Sequence, residues 1–167
     1  MALHDEFLEH ADRLATRVNA SQADLRRAVS GSYYAVFHFL IAEATQVVAP
    51  ASPSGLAVRV GRSFSHSNMQ DVCKAFATHS LRPPLSDLIN PPIETSLTIV
   101  AGGFIELQEQ RIRAGYDPSF VASELWARNA VQLAIKVASE WRTVKGSANA
   151  NVFLTALAFH RLWGRGA

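Results

Sequence analysis

The sequence has few of the features that mark membrane or secreted proteins. It has one cysteine among 167 residues, so no disulfide can form within the chain, and a reducing cytoplasm fits best. It has no uninterrupted apolar run of about 18 residues, the length that a membrane-spanning helix needs. Acidic residues stand near its start, where a secretory signal has a basic and then an apolar stretch. We therefore expect a cytoplasmic protein without a membrane partner.

The sequence also has no large excess of basic or acidic residues and no motif of a cofactor site. Sixteen basic and fourteen acidic side chains leave a formal net charge of +2, which gives no strong electrostatic attraction for nucleic acid. No glycine-rich phosphate loop follows a strand pattern. Cys73 has no second cysteine with which to bind zinc. We expect neither a metal ion nor a cofactor.

What the sequence does contain is helical periodicity, with apolar residues recurring at every third or fourth position. A length of 167 residues suits one domain with a sizeable core. The sequence therefore predicts an all-α fold, an antiparallel bundle of five to six helices in a single domain over residues 1–167. The segments are Leu3 to Val18, Ser21 to Ala49, a helix beginning between Ser63 and Ser67, one containing Ile93 to Leu107, one starting at Asp117-Pro118, and Asn149 to Trp163.

Two of these segments carry further predictions. Gly102 and Gly103 interrupt the fourth helix, and each costs about 1 kcal/mol relative to alanine. A kink or a close helix crossing is therefore expected there. The last helix is apolar on nearly all sides and must be covered. A second copy of the chain is the simplest cover, so the sequence predicts a homodimer.

The second helix carries an unusual strip of residues. Arg27, Gly31, Tyr34 and His38 are spaced i, i+4, i+7 and i+11 and therefore lie in one line along the helix. In one interpretation, Gly31 admits a neighbouring helix while Tyr34 and His38 find hydrogen-bond partners in the core. In the other, Arg27, Tyr34 and His38 form a surface for RNA, a nucleotide or a partner protein. Both interpretations stay open.

Three segments together resemble the HEPN domains of bacteria and archaea. Helix two has the order Arg-Arg-Ala-x-Ser-x-x-Tyr-Tyr-Ala-x-Phe-His over residues 26–38. The third helix starts with Ser65-His66-Ser67 and has Phe76 ten residues after the histidine. Arg-x-x-Ala-x-Tyr-Asp follows at residues 111–117. The resemblance covers roughly residues 20–145.

The resemblance implies a helical bundle that dimerises and is often encoded beside a minimal nucleotidyltransferase, as a toxin–antitoxin pair. Many members of the family are ribonucleases that need no metal ion and use an arginine followed, after four to six residues, by a histidine. Arg59 and His66 are separated by six residues and fit this spacing, whereas Arg62 and His66 are separated by three. The resemblance thus points to RNA as a substrate and to a toxin or defence function.

The chemistry of RNA cleavage suits these residue types. A base near the ribose 2′-hydroxyl, an acid near the leaving oxygen and positive charge on the phosphate are required. Histidine carries protons near neutral pH, and His66 is expected at a helix N-terminus, which favours a bound phosphate. Arg59 or Arg62 could hold that phosphate through two hydrogen bonds. A two-fold axis would supply the second histidine.

Less specific interpretations of the same residues also stay open. His66 could merely begin its helix, and Arg59 and Arg62 could be solvated side chains that follow a loop. The chain would then be a helical dimer without catalysis, binding a nucleotide or a partner protein such as a nucleotidyltransferase. A purely structural assembly subunit is the third interpretation.

Overall fold

The computed structural model describes residues 2–51 and 53–163, and within them the regular secondary structure is helical. The all-α prediction is confirmed, but seven α-helices are found within these residues, not five to six. None of the described helices has both the length and the apolar composition that a bilayer crossing needs. The elements are α1 (Leu3–Ala15), α2 (Gln22–Val48), α3 (Ser54–Gly61), α4 (His66–Ala77), a 3-10 turn (Ser86–Leu88), α5 (Thr95–Tyr116), α6 (Glu124–Val144) and α7 (Ala148–Trp163).

The helix that the sequence did not predict is α3. It has only eight residues and follows Pro53, which occupies its N-cap. Leu56 and Val58 on this helix are both about half exposed, so α3 has no buried apolar stripe. A helix without such a stripe leaves no periodic signal in the sequence. Arg59, which the sequence analysis places after a loop, therefore lies on a short helix of its own.

The predicted start of α6 at Asp117-Pro118 is wrong. Asp117 closes a local turn, in which its carboxylate accepts hydrogen bonds from the hydroxyl of Ser119 at 2.6 Å and from its backbone N–H at 2.9 Å. Those bonds lower the pKa of Asp117. The helix begins at Glu124 instead, where the hydroxyl of Ser123 accepts from the backbone N–H of Trp126 at 3.1 Å.

The chain forms two compact units, each assembled from two stretches of sequence. Unit 1 comprises Met1–Phe39 and Gly103–Ser139, and unit 2 comprises Leu40–Gly102 and Glu140–Ala167. Within them, the structure describes residues 2–51 and 53–163. Helices α2, α5 and α6 each continue from one unit into the other.

In unit 1, the close crossing expected at the paired glycines is found at Gly103. A Cβ atom at this position would overlap Cγ2 of Val137 on α6 and would lie 3.5 Å from Cδ1 of Leu133. The absence of a side chain at Gly103 thus lets α5 approach α6 directly. Here the cost of a glycine in a helix interior is offset by closer packing between the helices.

The end of α5 in unit 1 is held by Arg26 from α2. Its guanidinium donates to the backbone carbonyls of Ala114 and Asp117, both at 3.0 Å, and to that of Phe120. These carbonyls lie at the C-terminus of α5 and just beyond it, where intrahelical donors run out. Arg26 therefore caps the helix from a distant part of the chain.

In unit 2, α7 packs against α4. The ring centroids of Phe76 and Phe153 lie 5.0 Å apart, and Leu157 is fully buried. The side-chain amide of Asn68 donates to the carbonyls of Ala156 at 3.2 Å and Leu157 at 2.5 Å. The apolar face of α7 is thus largely covered within its own unit, which removes that argument for a second copy. The homodimer itself stays a prediction.

A second polar side chain organises the segment before α5. Asn149, which is buried, accepts from the backbone N–H of Asn90 at 2.8 Å through its side-chain oxygen. Its side-chain amide donates to the carbonyls of Asn90 at 2.7 Å and Pro92 at 3.4 Å and to the carboxylate of Glu94 at 3.0 Å. The side-chain amide of Asn149, at the start of α7, therefore holds residues 90–94 in place through hydrogen bonds.

Candidate functional site

His66 is the first residue of α4, as the sequence predicts. Ser65 is the N-cap, and its hydroxyl accepts from the backbone N–H of Asn68 at 3.2 Å. The first turn of a helix carries N–H groups that intrahelical bonds do not use, and this end of the helix dipole is positive. His66 is exposed. An anion in solvent can therefore reach the imidazole and the N-terminus of α4 together.

Arg59 and Arg62 both lie at the C-terminus of α3, the helix that precedes α4. Arg59 is in the last turn of α3, and Arg62 is its C-cap residue, a position where positive charge is favourable. Both are exposed, and with Gly55 and Val58 they line a surface depression of about 400 Å³. Two arginines thus line one concave surface.

The guanidinium groups of Arg59 and Arg62 have no partner in the part of the chain that the structure describes. Among residues 2–51 and 53–163, neither Arg59 nor Arg62 forms a side-chain hydrogen bond or an ion pair. A guanidinium group matches the geometry of a phosphate and can bind it through two hydrogen bonds. His66 is four residues beyond Arg62 and lies outside the described lining of the depression.

The strip on α2 is divided between the surface and the interior of unit 1. Arg27 is exposed, whereas Gly31 is buried against α1, where an added Cβ would lie 3.1 Å from Cβ of Ala11. Tyr34 and His38 are both half-buried. Gly31 thus admits a neighbouring helix, as the first interpretation of the strip requires.

The rings of Tyr34 and His38 also pack within unit 1. The imidazole of His38 is stacked on the ring of Phe7, with centroids 5.3 Å apart and an angle of 3° between the planes. The hydroxyl of Tyr34 accepts from the guanidinium of Arg111 at 2.9 Å. Of the three residues predicted as a binding surface, only Arg27 is exposed, and their role in binding stays a prediction.

Arg111 is the residue whose importance the sequence did not reveal on its own. All three tyrosines of the chain surround it, with Cζ of Arg111 at 5.9 Å from the ring centroid of Tyr33, 5.6 Å from that of Tyr34 and 5.8 Å from that of Tyr116. Burial lowers the pKa of Arg111, but its hydrogen bond with Tyr34 and its electrostatic interactions with the tyrosines raise that pKa above the ordinary value. Two segments of the family resemblance therefore meet in space.

Comparison with known proteins adds no family to this description. No family model, no curated protein and no solved structure matches the chain. Among the described residues, no three histidine, cysteine, aspartate or glutamate side chains come together as a group that could hold a metal ion.

Proposed function

We propose that this chain is a HEPN-type ribonuclease that cleaves RNA without a metal ion and works as a homodimer. The observation that supports it best is the depression that Arg59 and Arg62 both line, because both residues are exposed and, within residues 2–51 and 53–163, neither guanidinium takes part in an ion pair. His66 follows at the exposed N-terminus of α4. The residue types for phosphate binding and for proton transfer thus occur within eight residues of sequence.

In the proposed reaction, the ribose 2′-oxygen attacks the adjacent phosphorus atom while the bond from phosphorus to the 5′-oxygen breaks. One imidazole accepts the proton of the 2′-hydroxyl, and a protonated imidazole gives a proton to the departing 5′-oxygen. Arg59 and Arg62 bind the phosphate oxygens, on which negative charge accumulates. Since each copy offers one such histidine, His66 of a second copy supplies the other. The products are a 2′,3′-cyclic phosphate and a free 5′-hydroxyl.

The first experiment compares cleavage of a labelled RNA in EDTA by the wild-type chain and by His66→Ala. We expect the wild type to leave cyclic-phosphate ends and the variant to leave the RNA intact. His10→Ala is the matched control, because His10 is an exposed histidine of α1. Cleavage by His66→Ala at the wild-type rate would refute the role of His66.

The second experiment measures the affinity of RNA for Arg59→Ala and Arg62→Ala. A hydrogen bond to a charged group is worth about 1.5–3 kcal/mol, so we expect each variant to raise the dissociation constant about 10- to 100-fold. The slope of log affinity against log salt should fall by about 0.7 for each phosphate that the variant no longer neutralises. Arg82→Ala is the matched control, as Arg82 is exposed.

The binding function without catalysis has a distinct outcome in the same assays. A protein of that kind would bind RNA or a partner such as a nucleotidyltransferase and would leave RNA uncut at every concentration. In that case the arginine variants would lose affinity while the wild type showed no cyclic-phosphate product. This result would replace the ribonuclease proposal with an RNA-binding one.

A further inference from the structure

The last two turns of α5 leave one face of the helix exposed in unit 1. We call this surface, formed by Glu109, Ile112, Arg113 and Tyr116, the α5 face. Spacings of three and four residues place these side chains on one stripe. With Asp117 and Pro118 they line a depression of about 570 Å³. Ile112 is 45 % exposed and Tyr116 is 73 % exposed, and neighbouring exposed apolar side chains mark interaction surfaces.

The two charges of the α5 face are not neutralised by each other. Glu109 and Arg113 are four residues apart, a spacing at which an ion pair is common on a helix. Within the described residues, however, neither side chain takes part in an ion pair. The guanidinium of Arg113 instead stacks over the ring of Phe120, with Cζ 4.1 Å from the ring centroid. The face thus presents one charge of each sign beside an apolar pair, and Asp117 adds a second carboxylate that interacts electrostatically with Arg113.

We propose that the α5 face is the contact between two copies of this chain. A two-fold axis close to Ile112 would set α5 antiparallel to its copy and bring the two Ile112 side chains together. The same axis places Glu109 opposite Arg113 of the second copy, and it does so twice because the contact is symmetric. The inference rests on the homodimer of the proposed function and not on RNA cleavage.

The charge pattern favours a second copy over other occupants. RNA would meet the carboxylates of Glu109 and Asp117, which repel phosphate. A partner with charge of one sign would leave either Glu109 or Arg113 unpaired, and removing an unpaired charge from water is costly. A second copy supplies a guanidinium for Glu109 and a carboxylate for Arg113 in the matching order, so these two positions are complementary to themselves, while Asp117 stays beside Arg113 of its own chain.

The size of the α5 face sets the expected strength of the contact. A standard interface buries about 800 Å² on each partner, more than four side chains of one helix provide. Val121 and Leu125, 74 % and 67 % exposed, are further exposed apolar side chains of unit 1 and follow shortly in the sequence. We therefore expect a dimer that depends on concentration, with a dissociation constant of about 1–100 μM.

Sedimentation velocity of the full chain over a range of concentrations tests this inference. Glu109→Arg and Arg113→Glu should each raise the dissociation constant of the dimer by about tenfold or more, because each places like charges opposite one another. An equal mixture of the two variants should associate as tightly as the wild type, since every contact in the mixed dimer again joins opposite charges. Ile135→Asp, on an exposed residue of α6, is the control and should leave association unchanged.

Several results would overturn the inference. They are a wild-type chain that stays monomeric at all concentrations, variants that associate as the wild type does, and folded variants whose mixture does not regain association. Circular dichroism of each variant identifies misfolding, and Glu109→Gln then serves as a milder replacement that should weaken association without changing the fold. Loss of RNA cleavage with association intact would count against the proposed reaction alone.

Discussion

Gly102 and Gly103 are neighbours in α5, so the effect of an alanine on helix propensity is the same at both positions, but the side chains that surround them differ. A Cβ atom at Gly102 would lie 4.0 Å from Cβ of Ala77, an ordinary van der Waals contact, whereas a Cβ atom at Gly103 would overlap Cγ2 of Val137. Each glycine-to-alanine change gains about 1 kcal/mol of helix propensity. Gly102→Ala should therefore raise the free energy of unfolding by up to about 1 kcal/mol.

Gly103→Ala should have the opposite effect. Forcing an additional methyl group into a packed crossing costs about 1–3 kcal/mol, and the propensity gain of about 1 kcal/mol offsets only part of it. The net loss is then up to about 2 kcal/mol. Because the propensity gain is common to both variants, the difference between them isolates the overpacking, about 1–3 kcal/mol.

Urea denaturation followed by circular dichroism measures both variants against the wild type. Val137→Ala removes the Cγ2 methyl group, so in the Gly103→Ala background it should cost less stability than in the wild type, with a coupling of about 0.5–3 kcal/mol. Equal stabilities of Gly102→Ala and Gly103→Ala would refute the reasoning, because they would mean that α5 and α6 do not cross closely at Gly103.

Three further predictions concern single side chains. Tyr34→Phe removes the hydroxyl that accepts from Arg111 and should lower the free energy of unfolding by about 1 kcal/mol in urea denaturation; an unchanged value would contradict a formed bond. The hydrogen bonds from Ser119 lower the pKa of Asp117 below 3.8. This carboxylate therefore stabilises the fold above that pH and loses its contribution as the pH falls through the lowered pKa. Asp117→Asn should be less stable than the wild type near neutral pH, and the difference in their free energies of unfolding should disappear in acid. Burial raises the pKa of the Cys73 thiol, and the thiolate is the reactive form, so a thiol reagent should label Cys73 only after unfolding.

Local signals in the sequence predicted the ends of some helices and misplaced others. Ser65 carries the hydroxyl of an N-cap, and α4 does begin at the next residue. Asp117 before Pro118 offers the same chemistry, but an aspartate can equally close a turn with its own neighbours. Ser119 supplies that turn. A cap residue therefore fixes local hydrogen bonds and does not by itself say whether a helix follows.

The candidate site was predictable in its residues and not in its arrangement. A histidine at the start of α4 follows from one capping signal. The joint position of Arg59 and Arg62 depends on α3, a helix with no buried stripe. The tyrosines around Arg111 required knowledge of which helices pack together, since 77 positions separate Tyr34 from Arg111. Contacts between residues far apart in sequence are set by tertiary packing, for which a single sequence carries no local signal.

The side chain of Asn149 holds residues 90–94, the segment ahead of α5, and so determines how this segment can open. Four hydrogen bonds converge on that one amide group, so they break together when the side chain swings away. The backbone amide proton of Asn90, which donates to Asn149, should then exchange with solvent through this local event, at a free energy below that of global unfolding. We therefore expect residues 90–94 to open locally while the helices of unit 2 keep their hydrogen bonds.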